Sequence, residues 1–198
     1  MLHAAGFGEL KRGRGPVSRR RHSRRASLDC SAVVAARLIC RCNATGDSTL
    51  RGKRWDQYGL REARLSATMS KDPARKVGAC ILRSDGTVAA KGWNGFPRGC
   101  DDDPRLYEDR RRKLLRVVHA EANAIVSAGQ PLKDCTLYVS PLHPCATCAG
   151  LIIQSGIARV VTDHLTDSPR WKEAFDEARA MFVEAGVIVD VVDPDILD

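Results

Sequence analysis

From Trp55 onward the chain switches repeatedly between two hydrophobic rhythms. Between Trp55 and Ser70, the side chains Trp55, Tyr58, Leu65 and Met69 fall near one face of a helix, with charges elsewhere. Asp72-Pro73 ends that pattern. Val77–Leu82 and Val88–Trp93 read as strands, and Ser84-Asp85-Gly86 between them predicts a hairpin. Gly92–Asp103, with Gly92, Gly95, Pro97 and Gly99, is loop-like, and Arg105–Leu115 reads as a charged helix. A helix over His119–Ala128 closes at Gly129. There follow a strand at Cys135–Ser140, a helix at Ala146–Gln154 and a strand at Ile157–Thr162. An amphipathic helix at Trp171–Ala185, stopped by Gly186, leads to a last strand at Val187–Val192. A hairpin followed by alternating strands and helices predicts an α/β fold: three α/β/α layers around a mixed sheet of about five strands.

Composition divides the chain in two. Its 198 residues are 43% hydrophobic, enough for one domain with a real core, and the formal net charge is +8. That charge is not spread evenly. Residues 1–54 hold 13 of the 32 Lys and Arg but only 3 of the 24 acids, a balance of +10, which leaves −2 for residues 55–198. We therefore expect a basic, disordered extension over 1–54 and one domain over 55–198. The Gly-, Arg- and Ser-rich stretch 6–27 buries too little to offset chain entropy. Asp29 and Arg37 interrupt the short apolar run after it, so a targeting signal is disfavoured. Nucleic acid has a place only against this extension. No stretch approaches the roughly 20 apolar residues of a spanning helix, so no membrane partner is expected. Of the eight cysteines, Cys80 and Cys135 lie in apolar strand-like runs as small hydrophobes, which fits a cytoplasmic protein.

Two short segments carry chemistry: His119-Ala120-Glu121 and Pro144-Cys145-Ala146-Thr147-Cys148. Cys145 and Cys148, three residues apart on the first turn of a helix, share a face. A helix N-terminus also favours thiolate over thiol. With His119 they give three ligands for one Zn²⁺ per chain, leaving the fourth position to water, as in catalytic sites. Glu121 stands where it can reach that water and move its proton. The competing readings are a structural zinc site, with His143 as the obvious fourth ligand, and a zinc-stabilised binding module without catalysis.

The pattern H-x-E…P-C-x-x-C is that of the zinc-dependent nucleobase deaminases. The flanking sequence resembles more specifically the deoxycytidylate (dCMP) deaminases of the cytidine/deoxycytidylate deaminase superfamily. The resemblance is carried by Ser70-Lys71-Asp72-Pro73, Lys76-Val77-Gly78-Ala79, Gly92-Trp93-Asn94-Gly95-Phe96-Pro97-Arg98-Gly99, Val118 to Ile125 and Leu151 to Ile157. It covers about 55–192 and omits the basic extension. It implies a cytidine-deaminase-like fold and conversion of dCMP and water to dUMP and ammonia, by a zinc-bound hydroxide with Glu121 as proton shuttle. It further implies that Asn94 hydrogen-bonds the sugar, that Val77 and Ala120 wall the base pocket, and that an Arg or Lys of the long insert meets the 5′-phosphate, with Arg98 favoured over Arg105 and Arg110–Lys113. Homo-oligomers controlled by dCTP and dTTP belong to the same resemblance, with Mg²⁺ beside the nucleotide effector at Asp101-Asp102-Asp103.

Alternatives remain at this level. Asn94 suits a turn with positive φ, the aspartates suit a helix start, and Arg110-Arg111-Arg112-Lys113 suits a solvated helix face. A tRNA adenosine deaminase shares the HAE and PCxxC segments, although those enzymes have a shorter link than the 25 residues separating Asn94 from His119 here. Two departures from the resemblance stand out: Arg75 replaces a small hydroxyl residue, and Ser140–Pro144 is one residue longer.

Overall fold

The computed structural model describes residues 48–163 and 169–193; the extension expected over 1–54 lies mostly outside the described residues. The elements are α1 (Ser48–Ala67), β1 (Gly78–Leu82), β2 (Val88–Trp93), a 3₁₀ turn (Pro104–Tyr107), α2 (Arg110–Arg116), α3 (Ala120–Ala128), β3 (Thr136–Ser140), α4 (Ala146–Gln154), β4 (Arg159–Thr162), α5 (Pro169–Ala185) and β5 (Ile188–Val191). The five strands form one sheet in the order β2-β1-β3-β4-β5. β1 is antiparallel to both β2 and β3, while β3, β4 and β5 are parallel. This is the mixed α/β sheet expected, with Gly86 turning the hairpin at φ 84°.

Alternate strand residues serve opposite faces. Ala79, Ile81, Leu137, Val139 and Val160 join a core with α3, α4 and α5 residues such as Ala124, Ile152 and Phe182. Cys80, Leu82, Tyr138 and Val161 join Leu60 and Ala63 of α1 on the other side. The result is three layers, α1 on one face and α3–α5 on the other.

The first helix departs from expectation in its bounds and in its face. It starts at Ser48, seven residues before Trp55, and ends at Ala67, and it turns Trp55, Tyr58 and Leu65 outward, with Leu65 61% exposed and Met69, just past its end, exposed as well. Its buried side holds small or polar residues: Asp56, Gly59, Ala63, Ser66 and Ala67, with Leu60. Closeness of approach explains the reversal. A Cβ on Gly78 of β1 would sit 2.0 Å from the Ala63 carbonyl oxygen. Large side chains on that face would hold the helix off the sheet, so hydrophobic spacing alone selects the wrong stripe. A partly buried ionic cluster ties this helix down further. Arg159 of β4 donates to Asp56 Oδ1 and Oδ2 at 2.6 and 2.9 Å and to Asp190 Oδ2 at 2.6 Å. The Tyr138 hydroxyl donates to Asp56 at 3.0 Å, and burial pushes the phenol well above its ordinary pKa.

The register positions the site. Gly78 pairs with Trp93 on one side and Ser140 on the other, so Val77, Asn94 and the segment after Ser140 emerge together at one end of the sheet. In open α/β sheets ligands bind at the carboxyl ends of strands, and here β2 and β3, one on each side of β1, both have their carboxyl ends at this end of the sheet.

Candidate active site

Two helices begin at that end, and each has a metal-ligating residue where a cap is expected. His119 precedes α3 at φ −71°, ψ 156°, and Cys145 precedes α4 at φ −79°, ψ 170°; neither side chain turns back to bond its own helix. Serine or aspartate would ordinarily do so. The imidazole and thiol are instead directed at each other. His119 Nδ1 lies 3.5 Å from Cys145 Sγ and 3.4 Å from Cys148 Sγ, the latter one turn into α4. The three donor atoms fall within 4.8 Å of one another.

These distances fit zinc. Tetrahedral coordination with Zn–S of about 2.3 Å and Zn–N of about 2.0 Å requires N···S edges of about 3.5 Å, and both edges here match. His119, Cys145 and Cys148 are thus zinc ligands in geometry as well as type. His143 lies outside the set. Its Nδ1 sits 2.7 Å from the Pro144 carbonyl oxygen, and its ring packs edge-on to Phe175 and Phe182. Burial holds that imidazole below its ordinary pKa, and no fourth protein ligand closes the site among the described residues.

Without the metal, the donor set already favours a thiolate. A hydrogen bond from the Cys148 thiol, aided by His119, lowers the Cys145 pKa to about 4 despite burial. Cys148, as the donor in that pair, is pushed up, and His119 is raised by its bond to Cys145. Glu121, the second residue of α3, is 4% exposed. Its carboxyl is raised above the usual carboxylate range because burial disfavours its charge, and nearby His119 opposes the shift.

A cavity of about 130 Å³ opens here, lined by Val77, Asn94, Ala120, His119, Glu121 and Cys145, among others. Seven of the eight residues singled out from the sequence therefore converge, with Cys148 joining through the metal site. Arg98 does not. It stands outside this lining, and its guanidinium donates to Ser127 Oγ at 3.2 Å.

Asn94 has no positive φ, which among the described non-glycine residues belongs to Asp134. Its side chain stitches the wall instead: Oδ1 accepts from the Val77 N–H at 2.8 Å and Nδ2 donates to the Arg75 carbonyl at 3.0 Å. The aspartate run is engaged locally. Asp103 caps the 3₁₀ turn, and Asp102 accepts from the Tyr107 hydroxyl at 2.6 Å and pairs with Lys71 at 2.7 Å.

Sequence reasoning missed six contributors to the lining: Asp72, Leu114, Val117, Leu142, Trp171 and Phe175. Lys113 belongs to a run for which a solvated face was favoured over phosphate contact, yet it turns into the pocket. The signal for Asp72 was present in Ser70-Lys71-Asp72-Pro73. Ser70 Oγ donates to the Asn94 carbonyl at 2.8 Å and Asp72 Oδ1 accepts from the Ala74 N–H at 2.8 Å, so both residues brace the wall. Trp171 and Phe175 come from α5, remote in sequence, with no local pattern to mark them.

What such a constellation does is make water reactive beside a buried carboxyl group, and the fold and ligand set define a zinc-dependent hydrolase. Residues 53–163 match the family model described as the cytidine and deoxycytidylate deaminase zinc-binding region. A probable deoxycytidylate deaminase of Drosophila melanogaster is 38% identical over 168 residues, covering 78% of this chain and 81% of that one. The deoxycytidylate deaminase of Homo sapiens is 41% identical over 139 residues, covering 67% of this chain and 76% of that one. The crystal structure of dCMP deaminase from cyanophage S-TIM5 in apo form superposes with a TM-score of 0.54 at 25% identity, covering 70% of this chain and 98% of that one. The chain belongs to the cytidine and deoxycytidylate deaminase family.

Proposed function

We propose that the protein hydrolyses dCMP to dUMP and ammonia. The observation that carries this is the buried Glu121 beside the His119, Cys145 and Cys148 donor set, within a chain about 40% identical to deoxycytidylate deaminases. Zinc, when bound there, supplies Lewis acidity that makes water nucleophilic at neutral pH. The chain's own residues supply the rest. Glu121 accepts a proton from the attacking water as its oxygen bonds to C4 of the ring, and delivers that proton to N3. The hydrogen left on that oxygen is the second proton: passed through the same carboxylate to the amine, it leaves a C4 carbonyl as the C4–N bond breaks and ammonia departs. A carboxyl group held above its usual range by burial is suited to carrying protons in both directions. Val77 and Ala120 wall the base, and Asn94, fixed by its two bonds to the 75–77 loop, offers its remaining amide hydrogen and lone pair to the sugar.

The proposal includes a deaminase domain from about residue 55 preceded by a basic extension. It includes a cytoplasmic location, supported by five free cysteines among the described residues. It also includes self-association, supported by the outward stripe of Trp55, Tyr58, Leu65 and Met69. Control by dCTP and dTTP, with Mg²⁺, rests on the family resemblance.

Ammonia release from dCMP, CMP, cytidine and a tRNA tests the substrate. The full-length zinc-loaded chain should turn over dCMP with the highest kcat/KM. Turnover of tRNA alone would replace the proposal with an RNA deaminase, and none with any substrate would leave a binding module.

A further inference from the structure

The pocket contains a cation that the chemistry at Glu121 does not use. Lys113 is the basic residue of α2 that turns inward. Its side chain is 13% exposed, whereas Arg110, Arg111, Arg112 and Arg116 are all exposed. Its ammonium lies 3.0 Å from both Oδ1 and Oδ2 of Asp72, and it lines the cavity with Asn94, His119 and Glu121. Asp72 is itself 4% exposed and bound by the backbone N–H groups of Ala74 and Arg75 at 2.8 and 3.2 Å. It is a fixed anchor, and it holds the lysine at the wall.

An ammonium has three N–H donors. Directed at a single carboxylate, it retains donor capacity for a ligand in the pocket. The outer face of the same helix adds positive potential, with Arg111, Arg112 and Arg116 grouped around a second, shallow concavity. A neutral nucleoside has no group that calls for this cation, whereas a phosphate monoester carries nearly two negative charges at neutral pH and three strong acceptor oxygens. Arg98, the basic residue favoured by the glycine loop, is outside the lining.

We propose that Lys113 is the side chain through which this site reads the 5′-phosphate of its substrate, with Asp72 as its positioning residue. The proposal rests on the nucleotide reading above. Loss of a charge-assisted hydrogen bond is worth about 1.5–3 kcal/mol, or roughly 10- to 150-fold. Lys113→Gln should therefore reduce the ratio of kcat/KM for dCMP to that for deoxycytidine by roughly 10- to 150-fold, and Lys113→Arg should keep most of that ratio. Calorimetry gives a readout independent of turnover: dUMP affinity should fall by a similar factor in Lys113→Gln, and deoxyuridine affinity by much less. Equal losses for both members of each pair, or an unchanged ratio, would overturn the proposal and leave Lys113 a brace for Asp72. If the unaltered protein itself showed no preference for dCMP over deoxycytidine, the nucleotide reading would fail instead. Should Lys113→Gln not fold, Lys113→Met and Lys113→Arg decide by the same ratio.

Discussion

Cys145 concentrates the electrostatics of the site in one atom. It stands at a helix start, half-buried, with a thiol donor on one side and an imidazole on the other, and its pKa falls to about 4. Cys80, on β1 under α1, is driven by burial the opposite way, to about 12, and Cys135 is also raised. At pH 6 the first is a thiolate and the other two are thiols. In zinc-free protein, limiting iodoacetamide should therefore label Cys145 well ahead of Cys80 and Cys135, and one equivalent of Zn²⁺ should suppress that labelling. Peptide mapping by mass spectrometry reads the order directly. Labelling of Cys145 no faster than Cys80 would contradict the assignment. These residues were legible without coordinates because their chemistry is local: a spacing of three on a helix turn, and HxE on another. The pairing of Lys113 with Asp72 was not, since 41 residues separate them and only the folded wall joins them.

Among the elements, α3 matters most, because it carries Glu121 and starts directly after His119. Its depth is set by Gly92 on β2. A Cβ there would lie 2.4 Å from both the Ala120 carbonyl oxygen and the Ala124 nitrogen, which are backbone atoms of α3. Gly92→Ala must push the helix away from the sheet, at a cost of about 1–3 kcal/mol, and should weaken zinc binding along with stability. Gly150→Ala is the contrasting case. Gly150 lies within α4, and its added methyl meets nothing nearer than Met181 Cε of α5 at 3.8 Å. It should gain about 0.5–1 kcal/mol from lower unfolded-state entropy. Urea unfolding of both variants checks the sign of each. All the strands and most of the helices followed from periodicity and from Gly and Pro punctuation. α1 failed in an instructive way. Its contact face is chosen by small residues that permit close approach, whereas hydrophobic spacing singles out large apolar ones. The 105–115 segment also divided, into a 3₁₀ turn and α2, because Asp103 and Asp109 each cap a separate start.

At the scale of the whole molecule, the antiparallel placement of β1 between β2 and β3 brings five pieces of the chain to one end of the sheet. These are the loop before β1, Asn94 after β2, α2, the start of α3 and the start of α4. The net +8 of the chain comes from the extension, while the domain around the site is near neutral. An anionic substrate must then be met by a few placed cations rather than by overall charge, which is why the side chains of α2 matter. The central claim is that Glu121 moves the protons of a zinc-dependent deamination of dCMP. It is tested most directly by kcat/KM for dCMP in zinc-loaded Glu121→Gln, with metal content measured on the same sample. The account predicts one zinc per chain and a loss of about 10²- to 10⁴-fold. Turnover of dCMP at the unaltered rate by the glutamine variant would contradict it.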